Sequence, residues 1–327
     1  MRILVAIYSE FRSWCIPEAQ VDALRRAFPE HTFVRGDSDE ETLQGIAGAE
    51  IAFSSRITRE HFAAAPDLRW IHSPAAGVGS MLFPEIVRSR VVMTNSRGTS
   101  SVTIAEHVAA VTLALLRDLP LAFRRQSEKI WAQNEFDAGA AIRTLRGARV
   151  LIVGLGSIGG ETARLMAGFG ATVAGIRRKP GSTPVAGVGE VFAPDRLHEQ
   201  LPLADVVVLS APQTAATVHL IGERELALMK PDAVLVNVSR GKLIDEPALI
   251  RALDTRRLGG AALDVFEHEP LDPASPLWAR RDVLVTPHVS GFHADYWPQA
   301  TALFADNLRR FAAGRPLVNV VDKEAGY

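Results

Sequence analysis

One cysteine, Cys15, stands in 327 residues. That excludes an internal disulfide and any metal site built from several thiolates, and a lone cysteine here reads as a small core residue. An excess of either charge is also missing: 36 Lys and Arg face 37 Asp and Glu, for a formal net charge of -1. Such a balance gives no argument for nucleic acid or an anionic membrane as partner. No uninterrupted apolar run is long enough to span a bilayer, and I-L-V-A-I at 3–7 is too short for a signal-peptide core with a cleavage site. These absences predict a soluble, cytoplasmic chain. Repeats and low-complexity segments are absent too. What is present is core-forming material, 47% hydrophobic, over a length that predicts about two domains.

Short β-branched runs at 2–7, 31–34, 51–53, 70–73 and 91–94 alternate with helical spacing at 17–27, 40–46 and 58–65. That alternation predicts a parallel sheet covered on both faces. A long helix follows at 100–119, apolar around much of its circumference and therefore expected to be buried, between domains or at a subunit interface. The segment 121–131, with Arg124, Arg125, Glu128 and Lys129, reads as a solvated helix. Six further strands are expected at 148–153, 171–176, 206–210, 234–238, 260–263 and 283–286, the count of a doubly wound nucleotide fold. A last helix at 295–313 leads to 318–321, which returns to the first domain. The fold class is therefore α/β, with two doubly wound parallel-sheet domains. A Rossmann cofactor domain, 99–291, is inserted into a smaller, flavodoxin-like substrate domain made of 1–98 and 292–327.

The organising stretch is A-R-V-L-I-V-G-L-G-S-I-G-G at 148–160. A buried strand runs into Gly154, Gly156 and Gly159, spaced G-x-G-x-x-G, and a helix begins near Ser157. The first glycine permits a tight turn, the second lets backbone approach a pyrophosphate, and the third lets helix lie close on strand. The helix start offers free N–H groups and a positive dipole end to phosphates. Ser157 and Ile158, inside the turn, join the expected cofactor contacts.

In an open α/β sheet, ligands sit at the carboxyl ends of strands. There stand Ser239-Arg240-Gly241, then Asp264 with Glu267 and Glu269, then His288 with Ser290-Gly291. One Arg, one Glu and one His thus follow three successive strands. Hydride transfer to a carbonyl needs a proton donor, a carboxylate to keep that donor charged, and a cation for an anionic substrate.

Four motifs, G-L-G-S-I-G at 154–159, N-V-S-R-G at 237–241, L-D-V-F-E-H-E-P at 263–270 and T-P-H-V-S-G at 286–291, give a resemblance over nearly the full length. The chain resembles the D-isomer-specific 2-hydroxyacid dehydrogenases, such as glyoxylate/hydroxypyruvate reductases and phosphoglycerate dehydrogenases. The resemblance implies that Arg240 binds substrate, that Glu269 pairs with a catalytic His288, and that Asp264 contacts the nicotinamide carboxamide. Glu267 is the competitor for the place of Glu269. Glu269 also argues against the formate dehydrogenase branch, which carries Gln there. The segment 211–214, with Pro212, matches one that lines the cofactor path, and Ser239 and Gly291 complete the expected cofactor contacts. Ala75-Ala76-Gly77-Val78-Gly79 resembles the substrate loop, with Ala76 and Gly77 offering backbone N–H groups to a carboxylate, although Gly79 replaces the usual Asp. His107 reads as packing or a cap. Arg97 either approaches substrate or ties a hinge, and Trp131 either lines a cleft or is a half-buried anchor.

The second strand of the nucleotide fold ends A-G-I-R-R-K at 174–179. An NAD site would place Asp or Glu there for the ribose hydroxyls; Arg177 and Arg178 suit a 2′-phosphate instead. The reading is an NADP-dependent reductase, NADPH preferred over NADH, of a small 2-keto acid to its 2-hydroxy acid. Domain closure would exclude water. The resemblance further implies a homodimer built on the cofactor domain, with the apolar helix at 100–119 as its contact. The alternative is a dinucleotide-sensing binding protein of the C-terminal binding protein type, which would tolerate losing the Arg, Glu and His that this chain retains.

Overall fold

Arg2–Ala6 (β1) is apolar and buried from Ile3 onward, as a strand must be when both its faces are covered. It pairs in parallel with Thr32–Arg35 (β2) and Ile51–Ser54 (β3), and the sheet continues through Trp70–Ser73 (β4) to Val92–Asn95 (β5). The order β2-β1-β3-β4-β5 is the flavodoxin-like one. The second sheet contains Arg149–Val153 (β6), Thr172–Ile176 (β7), Glu190–Phe192 (β8), Val206–Leu209 (β9), Val234–Asn237 (β10), Gly260–Leu263 (β11) and Val283–Val285 (β12). Its order, β12-β11-β10-β9-β6-β7-β8, reverses direction at β6, and all its pairings are parallel. This is the doubly wound nucleotide topology, with its switch point beside the glycine turn. The computed structural model describes residues 1–139, 142–181 and 183–327.

Contacts divide the chain into two compact units, Met1–Ser100 with Phe292–Tyr327, and Ser101–Gly291. In the first, Val21, Leu24, Phe304 and Leu308 of two helices cover one sheet face, while Ile46, Ile71, Ile86 and Met81 fill the other. The C-terminal segment joins this unit: Val321 N–H donates to Met93 O (2.8 Å). In the second unit, Val108, Ala163, Met166 and Val150 pack on one side of the sheet, and Leu209, Leu235, Leu249 and Leu263 on the other. Among the described residues no helix is long and apolar enough to cross a membrane.

Three expectations are corrected. The second sheet has a seventh strand, β8, three residues long at the edge. So short a segment has no period of its own, and only pairing with β7 makes it a strand. The apolar helix is Ser101–Leu116; within this chain it buries most of its surface and leaves Val102 48% exposed, the kind of residue the expected subunit interface would cover. An apolar composition on all sides cannot say which side finds a neighbour. Trp131 is 89% exposed, so it is no half-buried anchor. Cys15 is not core: it sits partly exposed in a loop, its thiol donating to Ser9 O (3.2 Å).

Candidate active site

The turn after β6 needs two of its glycines for the fold. Gly154 has a φ of +104°, and a Cβ there would come within 2.4 Å of Ala211 N. At Gly159 a Cβ would meet Gly154 O at 2.1 Å, so the helix Ser157–Gly168 lies directly against the turn. Ser210 Oγ donates to Gly154 O (2.7 Å) and fixes that carbonyl. Gly156 differs. Its φ of -88° and ψ of -156° suit any residue, and nothing lies within 4 Å of where its Cβ would be. The open space therefore lies over the helix start, where Ser157 is exposed, Ile158 is half-buried and backbone N–H groups have no intrahelical partner. These residues fit a pyrophosphate: protein packing does not require a bare Gly156, and close approach of a phosphate does.

After β10, Asn237 wraps its own turn. Its Nδ2 donates to Arg240 O (3.0 Å), and its Oδ1 accepts from Ser239 N (3.1 Å). Ser239 Oγ donates to Ala211 O, joining this turn to the Pro212 segment, where Thr217 Oγ1 donates to Pro212 O (2.8 Å). Arg240 Nη1 donates to Ser239 O (2.6 Å). Burial lowers the Arg240 guanidinium from its ordinary value, opposed by the charge of Glu269, and it stays a cation near neutrality. At Gly241 a Cβ would stand 1.8 Å from Phe266 C. Glycine there lets the Arg240 turn touch the 266–269 strap.

The structure brings Glu269 to His288. Glu269 Oε2 lies 2.7 Å from His288 Nδ1, and its Oε1 accepts from Phe266 N (3.0 Å). The two side chains are 36% and 34% exposed, open enough to meet a ligand. Burial raises the Glu269 carboxyl, but the hydrogen bonds from His288 and Phe266 and the charges of His288 and Arg240 outweigh it, so its pKa is net lowered. Glu267 faces elsewhere, 3.0 Å from His219 Nε2.

His288 itself is held in the left-handed region, φ +54°, unusual for a residue with a Cβ. Its N–H reaches Asp264 O (2.9 Å) and Thr286 O (3.0 Å). The Asp264 carboxylate accepts from Thr286 Oγ1 (2.6 Å), Val289 N (2.9 Å) and Ser290 N (3.0 Å). Asp264 is 1% exposed and turned inward, onto the strap that carries His288. Beside the expected carboxamide contact, the Asp264 carboxylate thus supports backbone in an uncommon conformation. Sequence reasoning missed Thr286, although it opens T-P-H. His107 Nε2 lies 3.3 Å from Thr286 Oγ1, and burial lowers its pKa, with Asp264 opposing. Gly291 ends this unit just past the strap.

At the end of β7, Arg177 N–H donates to Phe192 O (3.0 Å), and its Nη2 donates to Pro180 O (3.2 Å) and Thr183 O (2.8 Å). Arg177 thus shapes its own loop, and Arg178 beside it is exposed. In the other unit, Ala76 and Gly77 are exposed in the loop after β4, and Met81 is buried beneath, 1% exposed.

The sequence model of the family described as D-isomer specific 2-hydroxyacid dehydrogenase, NAD binding domain, matches residues 109–290. A glyoxylate reductase from Thermococcus gammatolerans is 33% identical over 328 residues, 96% of each chain. A solved D-isomer specific 2-hydroxyacid dehydrogenase from Xanthobacter autotrophicus Py2, in complex with NADPH and MES, is 31% identical with a TM-score of 0.85, covering 99% of each chain. An NADPH-dependent glyoxylate/hydroxypyruvate reductase from Sinorhizobium meliloti, solved with NADP and sulfate, is 27% identical with a TM-score of 0.84, covering 100% of both. With the glycine turn at the switch point and this match over the whole length, the chain belongs to the D-isomer specific 2-hydroxyacid dehydrogenases.

Proposed function

We propose that this protein is an NADPH-preferring reductase of a small 2-keto acid of the glyoxylate/hydroxypyruvate type, with Arg240, Glu269 and His288 as its catalytic residues. The observation that carries the reading is the 2.7 Å contact of His288 Nδ1 with Glu269 Oε2 on the strap beside Arg240. With Nδ1 committed to the carboxylate, Nε2 is the nitrogen that faces a substrate. Arg240 holds the substrate carboxylate and polarises the C2 carbonyl. His288 gives its Nε2 proton to the carbonyl oxygen, and Glu269 stabilises the imidazolium from behind. When bound, NADPH supplies the hydride to C2. Gly154, Gly156, Ser157, Ile158 and Gly159 hold its pyrophosphate. Pro212, Ser239 and Gly291 border its path, and Arg177 and Arg178 serve its 2′-phosphate. In the 75–79 loop, Ala76 and Gly77 offer backbone N–H groups suited to a carboxylate.

A panel of glyoxylate, hydroxypyruvate, pyruvate and bulkier 2-keto acids, assayed with NADPH and NADH, tests the reading. Tight cofactor binding with no turnover of any of them overturns it. We also read the apolar helix Ser101–Leu116, with Val102 48% exposed, and the exposed Phe123 (61%), Ile130 (49%) and Trp131 (89%) that follow it as the homodimer contact. A monomer by sedimentation at assay concentration overturns that.

Two variants separate the parts. Glu269→Gln removes the anion that favours imidazolium. Keto-acid reduction needs the protonated form, so its fall with rising pH moves to lower pH than in the parent. An unchanged pH–rate profile removes Glu269 from the proton-donor pair. Gly156→Ala is expected to leave the melting temperature unchanged and to weaken NADPH binding by about 10–10²-fold, the worth of one charge-assisted contact. Unaltered binding, read by NADPH fluorescence titration, refutes the phosphate approach at Gly156.

A further inference from the structure

Three side chains tie down the end of β4 and the loop after it through carbonyl oxygens. Ser96 Oγ donates to Ser73 O (3.1 Å), Tyr296 Oη to Pro74 O (2.7 Å), and Asn95 Nδ2 to Ala76 O (2.6 Å). A trans peptide sets each C=O and the following N–H on opposite sides. Pinning Ala76 O onto Asn95 therefore turns Gly77 N–H away from Asn95, on an exposed stretch of loop.

The pins are themselves fixed. Asn95 is 2% exposed, and its Oδ1 accepts from Arg97 N (3.3 Å). A flipped amide would set oxygen against Ala76 O and N–H against Arg97 N–H, so only one orientation satisfies both ends. Behind Ser96 lies His72, 0% exposed, with Nε2 3.1 Å from Ser96 Oγ and Nδ1 2.6 Å from Thr94 Oγ1. Ser96 has one hydroxyl proton and gives it to Ser73 O, so His72 Nε2 must donate. Nδ1 is then an acceptor, Thr94 donates to it, and Thr94 accepts from Trp70 Nε1 (2.8 Å). Donors run one way, from Trp70 through a neutral His72 to the Ser73 carbonyl. Burial pushes His72 down to about 3 and the Tyr296 phenol up to about 12, so neither changes charge near neutrality.

We propose that Asn95 and Tyr296 are positioning residues for the substrate: they hold the 74–79 loop from behind so that Gly77 N–H is presented to the carboxylate. This rests on the reading that the loop receives that carboxylate. The pins come from different parts of the chain. Asn95 ends β5, and Tyr296 opens the helix Tyr296–Ala312, so the loop is clasped by two elements that the fold brings together.

Asn95→Asp keeps the size of the side chain and replaces the donor at Ala76 O with an acceptor. Tyr296→Phe removes a single hydroxyl and is the milder change should Asn95→Asp fail to fold. Gly77→Pro deletes the presented N–H itself. Each is assayed for KM and kcat with glyoxylate, for NADPH affinity by fluorescence and for melting temperature. The expected result is a KM raised about tenfold in all three, the factor that one hydrogen bond to a charged group carries. Values of kcat stay within about threefold, and NADPH affinity stays unchanged, because a group that binds ground and transition states alike moves KM alone. If Gly77→Pro raises KM while folded Tyr296→Phe and Asn95→Asp leave it unchanged, the positioning role is overturned and the loop reading stands. If all three leave KM unchanged, the loop reading fails, and the proposal with it. Loss of melting temperature with parental KM assigns Asn95 and Tyr296 to stability alone and overturns the proposal.

Discussion

His288→Ala is expected to lower kcat for keto-acid reduction by about 10²–10⁴-fold, the usual contribution of a positioned proton donor, and to leave NADPH affinity within a few-fold. The size follows from geometry. Glu269 holds Nδ1 at 2.7 Å, and in the proposed reaction Nε2 is the nitrogen that protonates the substrate oxygen. The strap does not depend on the imidazole for its shape, since Val289 N and Ser290 N anchor to Asp264. The residue at 288 must still accept a φ of +54°. His288→Asn is therefore the better-matched control, because Asn enters the left-handed region more readily than Ala. Both variants should lose turnover alike, with parental melting temperatures close by. Near-normal turnover in either removes His288 from the reaction. A loss confined to Ala would mean that backbone shape, and not the imidazole, was responsible.

The second large effect concerns the cofactor. A 2′-phosphate carries close to two negative charges near neutrality and matches a guanidinium fork. Hydrogen bonds of this kind contribute about 1.5–3 kcal/mol each, and about 1.4 kcal/mol is a decade, so two arginines favour NADPH by about 10²–10⁴-fold. Solvent at the end of β7 screens the charges and draws the figure towards its lower bound. Arg177 donates to Pro180 O and Thr183 O and so holds its loop in shape, and the proposal has both arginines serve the phosphate. The parent should use NADPH over NADH by at least about tenfold in kcat/KM. Arg178→Ala should cut the NADPH value by about tenfold and spare NADH. Arg177→Asp with Arg178→Ala should erase or invert the ratio while sparing turnover at saturating cofactor. Equal use of both cofactors by the parent refutes the phosphate reading of 177–179 and leaves the catalytic proposal untouched.

Much of this architecture is legible in the amino-acid order because it is local. A buried parallel strand is a short apolar run whatever surrounds it, and the steric demands of a glycine turn are set by neighbours a few residues away. The runs at 148–153, 206–210 and 234–238 therefore announce their strands, and G-L-G-S-I-G announces the turn between β6 and its helix. The same local logic put Arg240, Glu269 and His288 just past three successive strands. Only the tertiary structure decided what depends on direction in irregular segments, where no period tells one side from another. Glu267 and Glu269 are two residues apart, yet one meets His219 and the other His288, on a strap whose backbone packs against Gly241. Asp264 follows the end of β11, and only folding turned its carboxylate inward to hold the strap around left-handed His288. Edge strand β8 exists through pairing alone. The grip of Asn95 and Tyr296 on one loop joins residues 201 positions apart, a distance over which sequence carries no geometry until the core between them has formed.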